Sequence, residues 1–497
     1  MTGHQADRPH GSGRPRRPGG PGYNGGRGQE RDARTGRGPR AGRPPADPAR
    51  QAAYEAIAAV HRDDAYANLV LNEILRGLRL SGRDAAFATE LTYGTLRALG
   101  TLDLVIESAA GREVSRIDPP ARDALRLGVY QLLYTRVPAH AAVNQTVDLV
   151  RSVAPGADGF ANAVMRQVSE GGDLDTWLTK LAPAYEEDPV GNLAVLHNHP
   201  QWIIRSFSEA LGGDLADTAR LLIEDNQPAA VHLCARPGRV DAVDLADEID
   251  GVPGAFSPYA VYLKSGSPGE LAAIRDGRAH VQDEGSQLVA AALLAAPVEG
   301  TDLRWLDLCA GPGGKTGLLG AIASGRGAEV TAVEVAEHRA RLVEQATEGM
   351  PVTVLPMDGR SVGRDPDLPE DSFDRVLVDA PCTGLGSLRR RPESRWRRQP
   401  ADLPPLTRLQ RELLVAALRA VRVGGVVAYV TCSPHMVETQ VTVSEGARRS
   451  GVGVDFVDAR PLFPPGMPHL GAGPTVQLWP HRHGTDAMFL AVLRRTS

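Results

Sequence analysis

The chain has 497 residues, about three times the length of a typical domain, so we expect several domains. Hydrophobic residues make up 42% and charged residues 23% of the chain, which excludes a wholly disordered, a collagen-like and a membrane-embedded protein. No apolar run reaches the roughly 18 residues of a membrane span and no secretory signal is recognisable, so we expect a cytoplasmic protein without membrane association. The 4 cysteines show no C-x-x-C spacing, so neither a disulfide framework nor a metal site is predicted.

The first segment is rich in arginine, glycine and proline. Residues 1–50 contain 11 Arg against 4 Asp and Glu, together with 12 Gly and 8 Pro. Because this segment has almost nothing to bury, it predicts a disordered arm over residues 1–48. Its surplus of positive charge would attract phosphate without sequence preference, and an inert solvated extension is the alternative.

Residues 49–170 show the periodicity of amphipathic helices. Apolar side chains recur at three- and four-residue spacings, which predicts an all-helical domain. Its predicted helices include Asp84–Leu99, Leu102–Ala110, Ala121–Tyr134, Ala142–Val153 and Gly159–Val168. The segments RDAAFATELTYGTLR (83–97), RDALRLGVYQLLY (122–134), PAHAAVNQTVDL (138–149) and FANAVMR (160–166) resemble the NusB-like helical RNA-binding domain. The resemblance implies that fold, with either RNA binding or a docking surface as its role.

Residues 171–278 mix helical and strand-like segments. We predict helices over Pro200–Leu211 and Leu215–Asn226, and strands within AAVHLCAR (229–236) and AVYLK (260–264). This pattern is typical of a small α+β domain that links its two neighbours. Cys234 lies in the first of these strands, where a buried structural thiol is the simplest interpretation.

Residues 279–497 alternate between helix and strand, which predicts an α/β domain with a parallel, Rossmann-like sheet. The predicted strands are Arg304–Leu308, Glu329–Glu334, Val352–Leu355, Arg375–Asp379, Val426–Val430, Val476–Leu478 and Met488–Leu493, of which the last two form an antiparallel hairpin. Ligands of such sheets bind at the carboxyl ends of the strands. The residues that directly follow each strand are therefore the candidates for a functional site.

The first predicted strand leads into a glycine-rich turn, DLCAGPGGKT (307–316). Its spacing matches neither the G-x-G-x-x-G motif nor the P-loop, which argues against a dinucleotide and against a triphosphate. Glu334 ends the second strand, where an acid can accept hydrogen bonds from ribose hydroxyls. Asp358 follows the third strand and is expected to face the base of a nucleoside.

Two cysteines follow the fourth and fifth predicted strands. Cys382 lies in DAPCTGLG (379–386) and Cys432 lies in TCS (431–433). If these strands are neighbours, ~4.8 Å apart, both thiols open into one pocket. Since no histidine pattern and no metal spacing is nearby, we interpret the pair as a site for thiol attack on an electron-poor ring. The alternative is two small buried side chains.

These motifs together carry a resemblance to a known family. DLCAGPGGKT, DAPCTGLG, RRRPESRW (389–396), TCS and VQDEGSQL (281–288) resemble the RNA cytosine-5 methyltransferases. With the NusB-like segment in front, the chain is similar to the Sun-type (RsmB-like) small-subunit ribosomal RNA methyltransferases. The resemblance implies a class I methyltransferase domain that methylates carbon 5 of a cytosine in 16S RNA, with RNA as the partner. It leaves the oligomeric state open, with a monomer favoured.

The resemblance also implies a role for each motif residue. S-adenosylmethionine would be bound by Cys309, Ala310, Gly311, Pro312, Gly313, Gly314, Lys315, Glu334, Asp358 and Asp379. Cys432 would add to carbon 6 of the cytosine in a covalent adduct, because carbon 5 is otherwise a poor nucleophile. Asp379 would bind the edge of the base, Cys382 would assist product release, and Lys315 would stabilise the site electrostatically.

Other stretches near the cysteines depart from the family or suggest an RNA contact. After TCS the chain reads PHMVETQ, where only Glu438 remains of the acids usual in the family, and DAMF (486–489) replaces Asp-Gly-Phe-Phe. We expect RNA phosphates to pass an arginine cluster around Trp396, and a solvated charged loop is the alternative. The arginine cluster consists of Arg389, Arg390, Arg391, Arg395, Arg397 and Arg398.

Of three alternative functions, one stays open and two are disfavoured. The same chemistry could serve transfer RNA or another RNA, since only the NusB-like segment favours the ribosomal target. A non-catalytic RNA-binding assembly factor would be expected to have lost a cysteine or a cofactor acid, and all of them are present. A DNA cytosine methyltransferase would attack with the Pro-Cys cysteine and would not need the second cysteine motif.

Overall fold

The computed structural model of the protein describes residues 47–497. The arm predicted for residues 1–48 lies outside the described residues, apart from its last two positions. Within the described range, no helix combines the length and the apolar character needed to cross a membrane. The described residues belong to one compact unit, and the division of the chain at residues 170 and 278 stays a prediction.

Six helices form the first part of the described chain and enclose one apolar core. They are α1 (Pro48–Arg62), α2 (Ala67–Gly77), α3 (Gly82–Ala110), α4 (Pro119–Tyr134), α5 (Ala139–Val153) and α6 (Asp158–Glu170). Asp47 begins α1 by accepting a hydrogen bond from the backbone N–H of Arg50 at 3.0 Å, and Pro48 occupies the first turn, where no N–H is needed. Fully buried side chains such as Ile57 and Leu102 fill the core. The all-helical prediction for this part is confirmed.

The long helix α3 differs from the sequence prediction, which divided it in two. The structure has one helix of 29 residues in place of the separate segments Asp84–Leu99 and Leu102–Ala110. Gly100 lies between the predicted segments, and glycine is a poor helix former. A Cβ atom at Gly100 would lie 2.2 Å from the indole of Trp396, so the glycine permits close packing of α3 against the C-terminal part of the chain.

Further helices and a small sheet connect the first six helices to the C-terminal part. The helices are α7 (Leu174–Leu181), α8 (Pro189–His197), α9 (Gln201–Ala210), α10 (Leu215–Asp225), α11 (Ala242–Glu248) and α12 (Ala272–Arg275). The strands β1 (Val231–Ala235), β2 (Val252–Pro253), β3 (Ala260–Leu263) and β4 (Ala279–Val281) form an antiparallel sheet in the order β2-β3-β1-β4. The short elements α7, α8, α11, α12, β2 and β4 were not predicted, because each offers too few residues for a periodic pattern. Cys234 on β1 is fully buried, as expected.

The C-terminal part is built on a mixed sheet. Its strands are β5 (Arg304–Asp307), β6 (Glu329–Val333), β7 (Val352–Leu355), β10 (Phe373–Asp379), β11 (Val421–Thr431), β12 (Val454–Val457), β13 (Val476–Gln477) and β14 (Phe489–Arg495), with a separate ribbon of β8 (Arg364–Asp365) and β9 (Leu368–Pro369). The helices are α13 (Glu284–Ala295), α14 (Gly314–Arg326), α15 (Glu337–Ala346), α16 (Ser394–Arg397), α17 (Leu403–Ala420), α18 (Thr442–Ser450) and α19 (Pro480–His483). Successive residues of β11, such as Val426 and Val427, belong to two separate apolar clusters, so both faces of the sheet are covered.

The strand order β12-β14-β11-β10-β5-β6-β7 fits the predicted Rossmann-like sheet. The five strands from β11 to β7 are parallel, and the chain reverses its direction of travel across the sheet between β5 and β10. Ligands of open α/β sheets bind at this switch point. The predicted closing hairpin is only partly correct. β13 and β14 pair antiparallel, but α19 separates them, and β12, a short and partly exposed strand that was not predicted, forms the edge.

Candidate active site

A cavity of about 520 Å³ opens at the carboxyl ends of the central strands. Of the predicted site residues, its lining includes Cys309, Gly311, Pro312, Glu334, Asp358, Asp379, Cys382 and Cys432. We call it the cysteine cavity. We name Gly311, Glu334 and Asp358 its carboxylate wall, and Cys382 and Cys432, with the loops that hold them, its thiol wall. Folding thus brings most of the predicted site residues to one place.

The glycine-rich turn after β5 approaches the second acid so closely that only glycine fits. A Cβ atom at Gly311 would lie 2.2 Å from carboxylate oxygen Oε2 of Glu334. The backbone N–H of Gly311 donates a hydrogen bond to this oxygen at 3.0 Å. Gly313, which precedes α14, has a φ of 106°, in the left-handed region that favours glycine. The glycines therefore shape the turn and leave its backbone accessible at the cavity.

Four predicted residues of this turn, Ala310, Gly313, Gly314 and Lys315, lie outside the cavity lining. Ala310 donates its N–H to the carbonyl of Val333 on β6 at 2.9 Å, and the carbonyl oxygen of Gly314 lies 3.0 Å from Nε2 of His280. These contacts hold the glycine-rich turn in place without involving the cavity lining. Direct contacts of the four residues with a cofactor stay predictions.

The two acids of the carboxylate wall differ in burial and in hydrogen-bond partners. Glu334 is buried, accepts two backbone N–H groups, and lies 3.6 Å from the guanidinium of Arg339. Asp358 has a side chain that is 40% exposed and pairs with Arg360 at 2.6 Å. The hydrogen bonds from Arg360 lower the pKa of Asp358. Since a carboxylate accepts up to about four hydrogen bonds, Glu334 keeps free acceptor positions, whereas Asp358 shares both oxygens with Arg360.

Lys315 and Asp379 form an ion pair next to the thiol wall. The ammonium of Lys315 donates to Oδ2 of Asp379 at 2.8 Å. Burial alone would lower the pKa of Lys315, but Asp379 and the nearby sulfur of Cys432 outweigh it, so the pKa is raised. Lys315 therefore carries a positive charge beside Cys432, although it does not line the cavity.

The sulfur atoms of Cys382 and Cys432 lie 3.4 Å apart. The strands that precede them, β10 and β11, are neighbours in parallel register, as predicted. Both cysteines are partly exposed and line the cavity, so they are not buried core side chains. The hydrogen bond with Cys432, together with burial, raises the pKa of Cys382 well above its usual value. Cys382 is therefore a neutral thiol at neutral pH and can donate its S–H to the sulfur of Cys432.

Glu438, to which the sequence assigned no role, joins the two cysteine loops. It is fully buried and accepts hydrogen bonds from the N–H of Thr383 at 2.8 Å and from the hydroxyl of Ser433 at 2.6 Å. These two residues directly follow the two cysteines. The hydroxyl of Thr383 and the side-chain amide of Gln410 also donate to this carboxylate, at 2.5 and 3.0 Å. The only signal in the sequence was that Glu438 is the acid that remains after TCS.

Two of the six arginines of the cluster are internal, which corrects the expectation that RNA phosphates pass them. Arg395 is fully buried and donates to the side chain of Asn226 at 2.6 Å. Arg389 is also buried and pairs with Glu224 of α10 at 3.1 Å. The solvated-loop alternative is wrong for these two residues as well. Because arginine is rarely buried, an interior position could not be expected from the sequence.

One residue of the cavity comes from the N-terminal helices. Tyr66, which precedes α2, lines the cysteine cavity and is 38% exposed. The guanidinium carbons of Arg391 and Arg397 lie 5.1 and 5.2 Å from the centre of its ring, within the range of cation–π contacts. No motif pointed to Tyr66, because only folding brings it to the cysteine loops.

Comparison with known proteins identifies two matching family models. Residues 291–494 match 16S rRNA methyltransferase RsmB/F, and residues 47–170 match the NusB family. The chain is 56% identical over 452 residues to a Mycobacterium tuberculosis protein named as a candidate methyltransferase, a match that covers 91% of this chain and 97% of the relative. It is 32% identical over 382 residues to ribosomal RNA small subunit methyltransferase B of Escherichia coli, covering 75% of this chain and 84% of the relative.

Solved structures show the same fold. The crystal structure of PH0851 superposes with a TM-score of 0.75 at 23% identity and covers 90% of this chain and 98% of its own. The structure of NSun6 from Pyrococcus horikoshii with SFG has a TM-score of 0.51 at 18% identity, covering 60% of this chain and 98% of its own. From the family models, the curated relatives and the shared fold, it follows that the chain belongs to the RsmB/F family of 16S rRNA methyltransferases and carries an N-terminal NusB domain.

Proposed function

We propose that this RNA methyltransferase transfers the methyl group of S-adenosylmethionine to carbon 5 of a cytosine in small-subunit ribosomal RNA. The observation that carries the proposal is the pair of sulfur atoms, 3.4 Å apart, in the same cavity as the carboxylate wall. One thiol suffices to add to a base. A second thiol at this distance supports a reaction in which the bond between the first thiol and the base must also be broken.

The carboxylate wall fits S-adenosylmethionine, whose sulfonium supplies both the methyl group and a positive charge. Glu334 keeps free acceptor positions for ribose hydroxyls. Behind the wall, Asp307 is buried and accepts the hydroxyl of Thr316 at 2.7 Å, and burial raises the pKa of its carboxyl to about 7. The carboxylates of the wall supply acceptors that the hydroxyl groups of such a cofactor can use.

Cys432 is the nucleophile in this proposal. Its sulfur bonds to carbon 6 of the cytosine, and the electron pair of the carbon 5–carbon 6 double bond moves to carbon 5. Carbon 5 then forms a bond to the methyl carbon, whose bond to the sulfonium sulfur breaks. The thiolate is the reactive form of a cysteine in such a step, and Lys315 carries its positive charge beside it.

Cys382 acts in the release step. Once Cys432 is bonded to carbon 6, Cys382 no longer donates its S–H to that sulfur, and in this proposal it gives up its proton to solvent. As a thiolate it accepts the proton from carbon 5 while the bond between carbon 6 and the sulfur of Cys432 breaks. Ring, nucleophile and Cys382 thiol are all restored.

Asp379 binds the base in this proposal. Its Oδ2 is used by Lys315, while Oδ1 has no hydrogen-bond partner among residues 47–497. That oxygen is available to the amino group of a cytosine. The ribosomal target is supported by the names of the relatives, such as the Escherichia coli protein, and by the NusB domain.

The test incubates the purified protein and methyl-labelled S-adenosylmethionine with unmodified transcripts of small-subunit ribosomal RNA and of transfer RNA. Nucleoside mass spectrometry should detect labelled 5-methylcytidine in the ribosomal transcript and none with Cys432→Ala. If 5-methylcytidine were found only in transfer RNA, the proposed RNA target would be wrong and the proposed reaction would stand. A methyl group on another base or atom would refute the chemistry, and no transfer to either RNA would favour the assembly-factor alternative.

A further inference from the structure

We propose that Tyr66 and Arg97 of the N-terminal helices, together with Arg391, bind the single-stranded RNA that directly adjoins the target nucleotide. This inference rests on the proposed function, because it takes RNA as the substrate of the cysteine cavity. It assigns part of the substrate-binding surface to the NusB domain through Tyr66 and Arg97, which lie outside all of the methyltransferase motifs.

A second cavity adjoins the cysteine cavity. It has a volume of about 610 Å³ and lies between α2, α3 and the segment before β1. Its lining includes Asn68, Glu90, Tyr93, Arg97, Pro228 and Arg391, and we call it the interdomain cavity. Arg391 lines both cavities, so a strand that leaves the cysteine cavity beside Arg391 enters the interdomain cavity.

Two arginines of the interdomain cavity form no ion pair and no side-chain hydrogen bond within the described residues, although the nearby charges of Glu90 and Glu393 act on Arg97 and Arg391. The side chains of Arg97 and Arg391 make no hydrogen bond or ion pair with the part of the chain that the structure describes, and Nε of Arg97 is buried. Burial lowers the pKa of Arg97, a cost that a bound anion would offset. Glu90 is the acid in the lining, and its carboxylate already accepts the hydroxyl of Tyr130 at 2.6 Å. Such unpaired guanidinium groups are suited to a phosphodiester.

The interdomain cavity also offers an unused acceptor. Oδ1 of Asn68 is buried and has no hydrogen-bond partner among the described residues. A ribose 2′-hydroxyl or a base amino group can donate to this oxygen, whereas a bare phosphate at neutral pH cannot satisfy it well. Unpaired donors beside an unpaired acceptor match a nucleotide better than a simple anion.

Tyr66 and Arg391 form the boundary between the two cavities. Arg397 donates to the carbonyl of Ala65 at 2.8 Å and pairs with Asp64 at 2.9 Å. These contacts use its guanidinium group and hold the segment that contains Tyr66 in place. Arg391 contacts the same ring, and its guanidinium group stays available for binding RNA. A base that enters an enzyme cavity for chemistry has left its stack, and exposed neighbouring bases pack on aromatic rings and guanidinium planes. Tyr66 and Arg391 therefore meet the nucleotide next to the target.

The first test measures RNA binding without chemistry. Tyr66→Ala and Arg97→Gln are each introduced into Cys432→Ala protein, and affinity for an unmodified small-subunit ribosomal RNA transcript is measured at several salt concentrations. Arg97→Gln should weaken binding about 10-fold and reduce the slope of log affinity against log salt by about 0.7, the value for one phosphate contact. Arg97→Lys should keep the slope. Tyr66→Ala should weaken binding about 10-fold without changing the slope, because stacking is not ionic.

Arg166→Gln is the matched control. Arg166 is exposed on α6 and lines neither cavity, so its loss should change affinity by less than about twofold. Unchanged melting temperature and unchanged affinity for S-adenosylmethionine verify that each variant is folded. If Arg97→Gln and Tyr66→Ala bind RNA as well as Arg166→Gln does, the proposal is wrong.

The second test locates the contact. A transcript containing 4-thiouridine should crosslink on irradiation to the tryptic peptide of residues 63–76, which contains Tyr66. Absence of this crosslink would contradict the proposal. If wild-type protein forms no 5-methylcytidine but the crosslink and the binding defects are found, the proposed function fails and the RNA-binding surface stands. If 5-methylcytidine forms without crosslink or defects, the surface alone is refuted.

Discussion

The two walls of the cysteine cavity are held in place by different kinds of contact. On the carboxylate wall, Glu334 accepts backbone N–H groups and Asp358 pairs with an exposed arginine, so both contacts lie at the cavity surface. On the thiol wall, the cysteines are fixed indirectly by Glu438, which is fully buried and binds the residues that follow them. One wall presents its polar groups to a ligand, and the other keeps its polar contacts behind the reacting atoms.

This difference corresponds to what each wall has to do. A cofactor is bound by several exchangeable hydrogen bonds, so the loss of one acceptor weakens binding but does not abolish it. Bond formation by a thiol depends on the position of one atom, and a displacement of about 1 Å can cost about 100-fold in rate. We therefore expect substitutions in the thiol wall to affect turnover and those in the carboxylate wall to affect cofactor affinity.

The largest effect is expected from Cys432→Ala. Loss of the nucleophile should lower kcat by at least about three orders of magnitude, because the bond to carbon 6 is the first step of the proposed reaction. Affinity for S-adenosylmethionine, measured by calorimetry, should stay at the wild-type value, since the thiol touches the base and not the cofactor. Residual turnover of a few per cent would contradict the assignment of Cys432.

Cys382→Ala should stop the reaction after methyl transfer. With Cys432 still able to bond to carbon 6 and no thiol to take the proton from carbon 5, the adduct should accumulate. A slower-migrating protein–RNA band on a denaturing gel is the measurement, and the band should be absent from the Cys382→Ala/Cys432→Ala double variant. Normal turnover without any trapped band would show that Cys382 is structural.

Glu438→Ala should lower kcat by about 100-fold, because it releases both cysteine loops at once. It also leaves buried donors unpaired, at a cost to the free energy of unfolding of about 1–3 kcal/mol for each. Glu438→Gln keeps an acceptor and should recover part of both losses. Equal kcat for Glu438→Ala and wild type, at unchanged cofactor affinity, would remove Glu438 from the positioning of the thiols.

The smallest effect is expected on the carboxylate wall. Glu334→Gln should weaken binding of S-adenosylmethionine by about 1–3 kcal/mol, with little change in kcat at saturating cofactor. Asp358→Asn should weaken it less, because its carboxylate is more exposed and is shared with Arg360. Glu337→Gln, at a 78% exposed position of α15, is the matched control. Calorimetry that gives one affinity for all three variants and wild type would exclude both acids from the site.

Much of the candidate site could be predicted because its residues follow strands directly. The apolar alternation of β10 and β11 locates the strand ends, and the parallel arrangement then brings Cys382 and Cys432 to one edge of the sheet. The same reasoning led from β6 to Glu334 and from β7 to Asp358. In each case the functional residue and its supporting strand lie within a few positions of each other in sequence.

Residues from distant segments could not be predicted in this way. Tyr66 contacts Arg391, more than three hundred positions away, and neither residue's neighbours signal that contact. The buried state of Arg395 depends on the chain around Asn226, which supplies its hydrogen-bond partner. The same charge on a surface loop would give an identical sequence pattern, so charge clustering alone favoured an RNA contact.

The sequence by itself determined the N-terminal helices, the central strands, the glycine-rich turn and the pair of cysteine motifs, because periodicity and turn chemistry act over a few neighbouring residues. The tertiary structure alone decided that two arginines of the cluster are internal, that Glu438 joins the two cysteine loops, and that Tyr66 enters the wall of the cavity. These outcomes depend on packing between segments far apart in the chain. Burial and hydrogen bonding at such contacts are set by the partner segment, and no local pattern encodes the partner.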